Sequence, residues 1–145
     1  MLSRVAETVY WLCRYIERAE NVARFIDVND NLTLGDNDAL TKQWMPLVDT
    51  TADQETFEKY HDEPTRENVL HFLCFDEKNE NAIVSCVAKA RENARTIREI
   101  ISNVVWEQLN KFHLLVRSGA QSAETMDQPQ EFCEQVRLTS HLLVG

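Results

Sequence analysis

Residues 5–26 read VAETVYWLCRYIERAENVARFI, and their spacing decides the fold. Val5, Val9, Leu12, Ile16, Ala19, Ala23 and Ile26 recur at steps of four and three, the spacing that keeps side chains on one face of a helix. At 100° per residue they fall within a stripe about 100° wide. Trp11, Tyr15, Val22 and Phe25 lie on the opposite side. A helix with two apolar faces must be covered twice, so this one is central. Between the faces runs a polar seam of Tyr10, Arg14, Glu17, Asn21 and Arg24, with Glu20 at the edge of the first stripe.

A second long helix is expected downstream. Ile83, Val87, Ala90, Ala94, Ile97, Ile101 and Val104 step by four and three; the pattern then slips by one residue to Val105, Leu109, Phe112 and Val116, and Gly119 is read as the terminator. Some 35 residues at 1.5 Å each would make a spine of roughly 50 Å. The expected fold is all-α, an antiparallel helical bundle built on two long helices. Three glycines and three prolines in 145 residues agree, since a β-protein needs many more turn residues.

The remaining boundaries follow from caps and breakers. Ser3 is the expected N-cap of the first helix, which frays through Asn29-Asp30-Asn31 and ends before Gly35. Asp36 or Asn37 caps a second segment holding Leu40, Trp44, Leu47 and Val48, kinked or broken at Pro46. Residues 51–53 form a joint, and Phe57 and Tyr60 mark a short helical piece over 54–61. Pro64-Thr65 starts a helix through Val69, Phe72, Leu73 and Phe75. Residues 76–81 read as a charged loop whose last acidic and amide groups favour the next helix N-terminus. Residues 119–128 read as a solvated loop before a last helix from Pro129 with Phe132, Val136, Leu142 and Leu143.

At this length the chain is one domain, with 43% hydrophobic and 27% charged residues. A net charge of −9 disfavours duplex binding, which needs clustered cations to displace counterions from phosphate. The dense cationic run, Arg91, Arg95 and Arg98, is interleaved with glutamates. No stretch approaches the ~20 apolar residues of a membrane span. Cys13, Cys74, Cys86 and Cys133 are far apart without a C-x-x-C pair and read as small core residues in a reducing compartment. With no signal peptide recognisable before Arg14, the chain is expected in the cytoplasm.

Two Glu-Asn-Arg clusters carry the chemistry, one on each long helix: Glu17, Arg18, Glu20, Asn21 and Arg24, then Arg91, Glu92, Asn93, Arg95, Arg98 and Glu99. Their fragments, RAENVAR at 18–24 and ARENAR at 90–95, are too irregular to form a repeat. Glu20 can reach Arg24, and Glu92 can reach Arg95, so each cluster can satisfy itself. They can also face each other, and Glu17 or Glu20 is expected within salt-bridge reach of a guanidinium in residues 91–98. Glu92, Arg95, Glu99 and Ser102 share one seam. A solvated strip suits Arg14 and Arg18. It does not suit Glu20, which lies about 40° from the centre of the apolar stripe and needs a cation or amide donor. A buried structural ion-pair network and a ligand or catalytic site both fit this pattern.

Other chemistries find less support. A di-iron bundle needs a Glu on each of two helices and Glu-x-x-His on two more, whereas this chain has one Glu58-x-x-His61. His71 and Cys74 make another candidate pair, and His113 and His141 stand alone. No metal or cofactor is expected, and P-loop, GxGxxG and GxSxG motifs are absent. Trp11, Tyr15 and Phe25 could each bury ~150–250 Å². Trp44, the last helix, the missing remainder of the protein or a partner chain, including a second copy, could cover them.

Tyr10-Trp11-Leu12 followed by residues 15–21, YIERAEN, resembles the opening of the alpha-E proteins, bacterial all-helical proteins named for a Glu-Arg motif. A second block, residues 90–95 with Arg98-Glu99, Ile101-Ser102, Trp106-Glu107 and Leu109-Asn110, extends the resemblance over most of the chain. Family members are longer and carry a further helical half with another Glu-Arg motif, so these residues are expected to form an amino-terminal half. The resemblance implies a helical component of a system that makes or removes short peptide tags, working with ATP-grasp ligases and transglutaminase-like peptidases. It leaves open whether the component is itself an enzyme. A non-catalytic scaffold and a metal-carboxylate bundle are the competing readings.

Overall fold

The computed structural model describes residues 2–32, 57–58 and 65–144. Among them are six helices: α1 Leu2–Leu32, α2 Arg66–Cys74, α3 Ile83–Thr96, α4 Asn103–Gln121, α5 Ala123–Asp127 and α6 Pro129–Val144. The protein is all-α. The segments expected around Gly35, Asp36, Asn37, Trp44 and Pro46, and most of 54–61, lie outside the described residues; Phe57 and Glu58 are helical.

Four helices form a ring in which α1 packs on α3 and α6, and α4 closes it between them. Side-chain contacts give the directions. Arg18 meets Asn81 just before α3, whereas Lys89, further along α3, lies over Tyr15, earlier on α1. Asp27 meets Arg137 and Glu20 meets His141, so α6 also runs against α1. Arg91 bonds Asn110 and Arg98 bonds Asn103, an antiparallel α3–α4 hairpin. Neighbours in the ring are thus antiparallel throughout.

The stripe on α1 does what its spacing predicts over its central and C-terminal turns. Leu12, Ile16, Ala19, Ala23 and Ile26 are buried, and Val22 from the opposite side joins them. Val9, nearer the start, stays exposed. On α3 the buried residues are Ile83, Cys86, Val87, Ala90 and Ala94. Alanines on both helices keep the core thin where α1 and α3 pack, which lets their axes approach.

The expected single helix from Ile83 to Gly119 is two helices. The chain turns over residues 97–101, with the Ile97 N–H on the Ala94 carbonyl and the Ile101 N–H on the Ile97 carbonyl. Ser102 then caps α4, its Oγ accepting the Val105 N–H at 3.2 Å. The break falls just before the apolar pattern slips by one residue, from Val104 to Val105 in the first turn of α4. A straight helix would turn its stripe by 100° there; folding back lets both halves bury their own stripes against each other. Ser102 therefore caps a helix and does not continue a seam.

Other boundaries also differ from expectation. Ser3 lies inside α1, which starts at Leu2. Gly119 lies inside α4, buried against Phe132. The stretch expected as a loop from 119 to 128 contains α5. Thr65 caps α2 as its position suggests, accepting the Asn68 N–H, and α6 begins at Pro129. Ala82 precedes α3 without a side-chain cap. The preceding loop holds two buried polar residues, Asp76 and Asn79. Phe57 stacks edge-on against Phe72 and Phe75 tilts onto Phe132, ring centroids 5.2 Å apart in each pair, which ties α2 to the ring.

Candidate functional site

The two charged clusters do not meet. Glu17 pairs with Arg14 at 3.3 Å, and Arg95 pairs with Glu92 at 2.8 Å, both within their own helix and open to solvent. The expected bridge from Glu17 or Glu20 to residues 91–98 is not formed. Arg91 donates from Nε to Asn110, and Arg98 donates to Asn103 while stacking over Trp106. The reason is register: Asn81, just before α3, lies opposite Arg18, and Lys89 of α3 lies over Tyr15, so the α3 arginines fall further along. Glu99 is exposed beyond the end of α3.

Glu20 finds the cation its position requires, with a histidine beside it. Its carboxylate, 12% exposed, accepts from Arg24 at 2.9 Å and lies 3.0 Å from His141 Nε2 on α6. Asp27 and Arg137 make a second link at 3.1 Å. Both ties stitch α1 to α6. The partners of Glu20 are themselves more than half exposed, so its removal strands no buried cation. Glu20→Ala is accordingly expected to lose about 1–2 kcal/mol, below the ~3–5 kcal/mol of a fully buried pair. A thermal melt beside Glu20→Gln checks this; an unchanged or raised Tm for the alanine variant would remove Glu20 as an anchor.

Arg18 is not the solvated residue its seam suggests. It is half-buried, donates from Nη1 to Asn81 Oδ1 at 3.1 Å, and its guanidinium carbon stands 5.8 Å from the Tyr15 ring centroid. Lys89 Nζ stands 5.5 Å from the same ring and donates to the Glu80 carbonyl. Two cations thus share one aromatic ring, within the ~6 Å over which a ring face attracts a cation. Both are bonded to neutral oxygens. A cleft of about 290 Å³ opens beside them, lined by Arg18, Asn21, Val22, Phe25 and Asn81. A second recess on the same α1–α3 seam is lined by Glu7, Thr8, Trp11, Tyr15 and Asn93. Trp11 and Phe25 remain 40% and 39% exposed, so the aromatic back face is only partly covered.

The model of the alpha-E family, described as a predicted alpha-helical domain with a conserved ER motif, matches residues 1–145. The chain belongs to the alpha-E family. No curated protein and no solved structure matches it. In this alpha-E chain Glu17-Arg18 is the single Glu-Arg dipeptide, so the family's motif coincides with the residue that enters the α1–α3 seam and the one that turns to solvent beside it.

Other reactive groups of this alpha-E protein are held quiet. Burial pushes the Cys74 thiol up, and neighbouring Cys133 pushes it the same way; burial and Glu17 raise Cys13. A raised thiol is protonated and a poor nucleophile. Cys74 is buried while His71 is exposed, and His61 of the Glu58 pair lies outside the described residues. Among the described residues no group of three His, Cys, Asp or Glu could hold a metal, and no helix is long and apolar enough to cross a membrane. Asn81 and Lys89 were not picked out from sequence. Their signal is the four-residue step from 81 through 85 to 89, a polar edge beside the α3 stripe.

Proposed function

We propose that this alpha-E chain is a binding component of a bacterial, cytoplasmic peptide-ligation or peptide-tagging system, acting with ATP-grasp ligases and transglutaminase-like peptidases. The partners follow from the family resemblance. The observation that supports a binding role is the Arg18 cleft. A half-buried guanidinium with neutral hydrogen-bonding, the amides of Asn21 and Asn81 in the lining, and an apolar wall of Val22 and Phe25 suits a peptide carboxylate and the side chain next to it. The second reading, a scaffold locked by charge, is favoured by Glu20, whose contacts tie α1 to α6. The two readings divide the cluster: Arg18 binds and Glu20 anchors.

The test is an ATP-dependent ligation assay with the co-purified ligase and peptidase, run with and without the alpha-E protein. Loss of one charge-assisted contact is worth ~1.5–3 kcal/mol, so Arg18→Ala should lower activity roughly tenfold or more. Arg18→Lys should not restore it, because an ammonium lacks the planar fork. Full activity of Arg18→Ala, or of the mixture lacking the protein, would leave only the scaffold.

A further inference from the structure

Two recesses lie end to end on the α1–α3 seam. Thr8, Trp11, Tyr15, Arg18, Val22 and Phe25 step along α1 by three and four, so they share one face, and between them they line both recesses. The wall opposite runs the other way: Asn81 meets Arg18, Lys89 lies over Tyr15, and Asn93 lines the recess that holds Trp11 and Tyr15. One recess is the Arg18 cleft. The other, about 250 Å³, has the opposite chemistry, because its charged group is the Glu7 carboxylate. Among the described residues Glu7 forms no ion pair and the Asn93 side-chain amide makes no hydrogen bond. Trp11 is 40% exposed and is braced edge-on by Tyr10, ring centroids 5.4 Å apart. Tyr15 already has Arg18 and Lys89 over its ring, so the ring left for a further cation in this recess is that of Trp11. A carboxylate, an amide oxygen and an indole are together the groups that hold an ammonium. The carboxylate supplies the charge, the amide accepts an N–H, and tryptophan attracts a cation more strongly than the other aromatic rings.

We propose that the Glu7 recess takes the α-ammonium group of a peptide whose carboxylate lies at Arg18. The far end of this peptide rests on the role proposed for Arg18; the Glu7 recess stands on its own lining. Glu7 and Arg18 are eleven residues apart on one helix, a span of roughly 17 Å along its axis. An extended chain advances about 3.3 Å per residue, so about five residues fill that span. The ligand is therefore a short peptide with both ends free, lying parallel to α1. The tail of a folded protein has no ammonium to place at Glu7, and a much longer peptide must bulge to use both ends. The charges fix the direction: Arg18 and Lys89 repel an ammonium from the Arg18 end, and Glu7 repels a carboxylate from the other.

The experiment is isothermal titration calorimetry of the full chain with an alanine peptide ending in leucine, of the matching length and of half and twice that length. Each is made with free ends, with an acetylated amino end and with an amidated carboxyl end. Blocking either end of the matching peptide should weaken binding roughly tenfold, the scale of one charge-assisted contact. The halved and doubled peptides should bind roughly tenfold more weakly for the same reason, since each engages one end. Glu7→Gln, an exposed position, should weaken the free peptide about fivefold and leave the acetylated one unchanged, whereas Arg18→Ala should weaken both. Acetylated and free peptides that bind alike overturn the ammonium site and leave the role of Arg18 standing. A doubled peptide as tight as the matching one, or a Glu7→Gln protein weakened equally towards both forms, does the same. Free and amidated peptides that bind alike overturn the role of Arg18 and the two-ended peptide with it. Absence of binding by every form overturns both.

Discussion

Asn79→Ala is expected to unfold at a clearly lower urea concentration, with a loss of about 2–4 kcal/mol. Asn79 is 1% exposed in the loop between α2 and α3. Its Nδ2 donates to the carbonyl of Phe72 at 2.9 Å, and its Oδ1 accepts the N–H of Asn81 at 3.0 Å. The Phe72 carbonyl is among the last four of α2, which have no acceptor role left within their own helix. Alanine would remove both bonds at once, the one to the Phe72 carbonyl fully buried, and a lost buried hydrogen bond costs about 1–3 kcal/mol. The denaturation slope should stay constant, since the surface exposed on unfolding is unchanged. A midpoint shift equivalent to less than about 0.5 kcal/mol, the range of ordinary surface substitutions, would refute this role.

Gly119→Ala should also destabilise, although alanine is ordinarily the better helix former by about 1 kcal/mol. A Cβ at Gly119 would stand 2.5 Å from Cε1 and 2.8 Å from Cδ1 of Phe132. Phe132 cannot simply swing away, because Phe75 tilts against it. Overpacking of this kind costs about 1–3 kcal/mol, enough to exceed the helical gain. A double-mutant cycle with Phe132→Leu isolates the clash: the pair should be more stable than the sum of the two losses predicts. Simple additivity, or a Gly119→Ala protein more stable than the native chain, would remove the steric account.

These positions also show what the sequence made legible. The stripe on α1, the cap at Thr65 and the start at Pro129 could be read because each is a local rule satisfied by neighbouring residues. Glu20 could be read as needing a partner because its angle on the helix places it near the core. The hairpin break at 97–102 left a trace in the one-residue slip from Val104 to Val105. Whether a slip bends a helix or ends it depends on whether the two halves can pack on each other, which no local pattern states. Gly119 reads as a terminator, whereas it sits inside α4 because a neighbour's ring occupies the space of its side chain. Arg18 looks solvated from its seam because its partner, Asn81, lies 63 residues away in the loop before α3.

The ring carries a consequence for the order in which the molecule assembles. The α3–α4 hairpin is held by pairs only 19 and 5 residues apart, Arg91–Asn110 and Arg98–Asn103. The Arg18–Asn81 bond joins residues 63 apart. Closing the longer loop carries an entropic penalty about 1 kcal/mol above that of the 19-residue one, and contacts that close long loops form late. Helix α1, which packs on both α3 and α6, is therefore a latecomer in time. Arg18 and Glu20 acquire their partners only when it docks, so the cleft exists only in the finished molecule and a partly folded chain has nothing with which to bind.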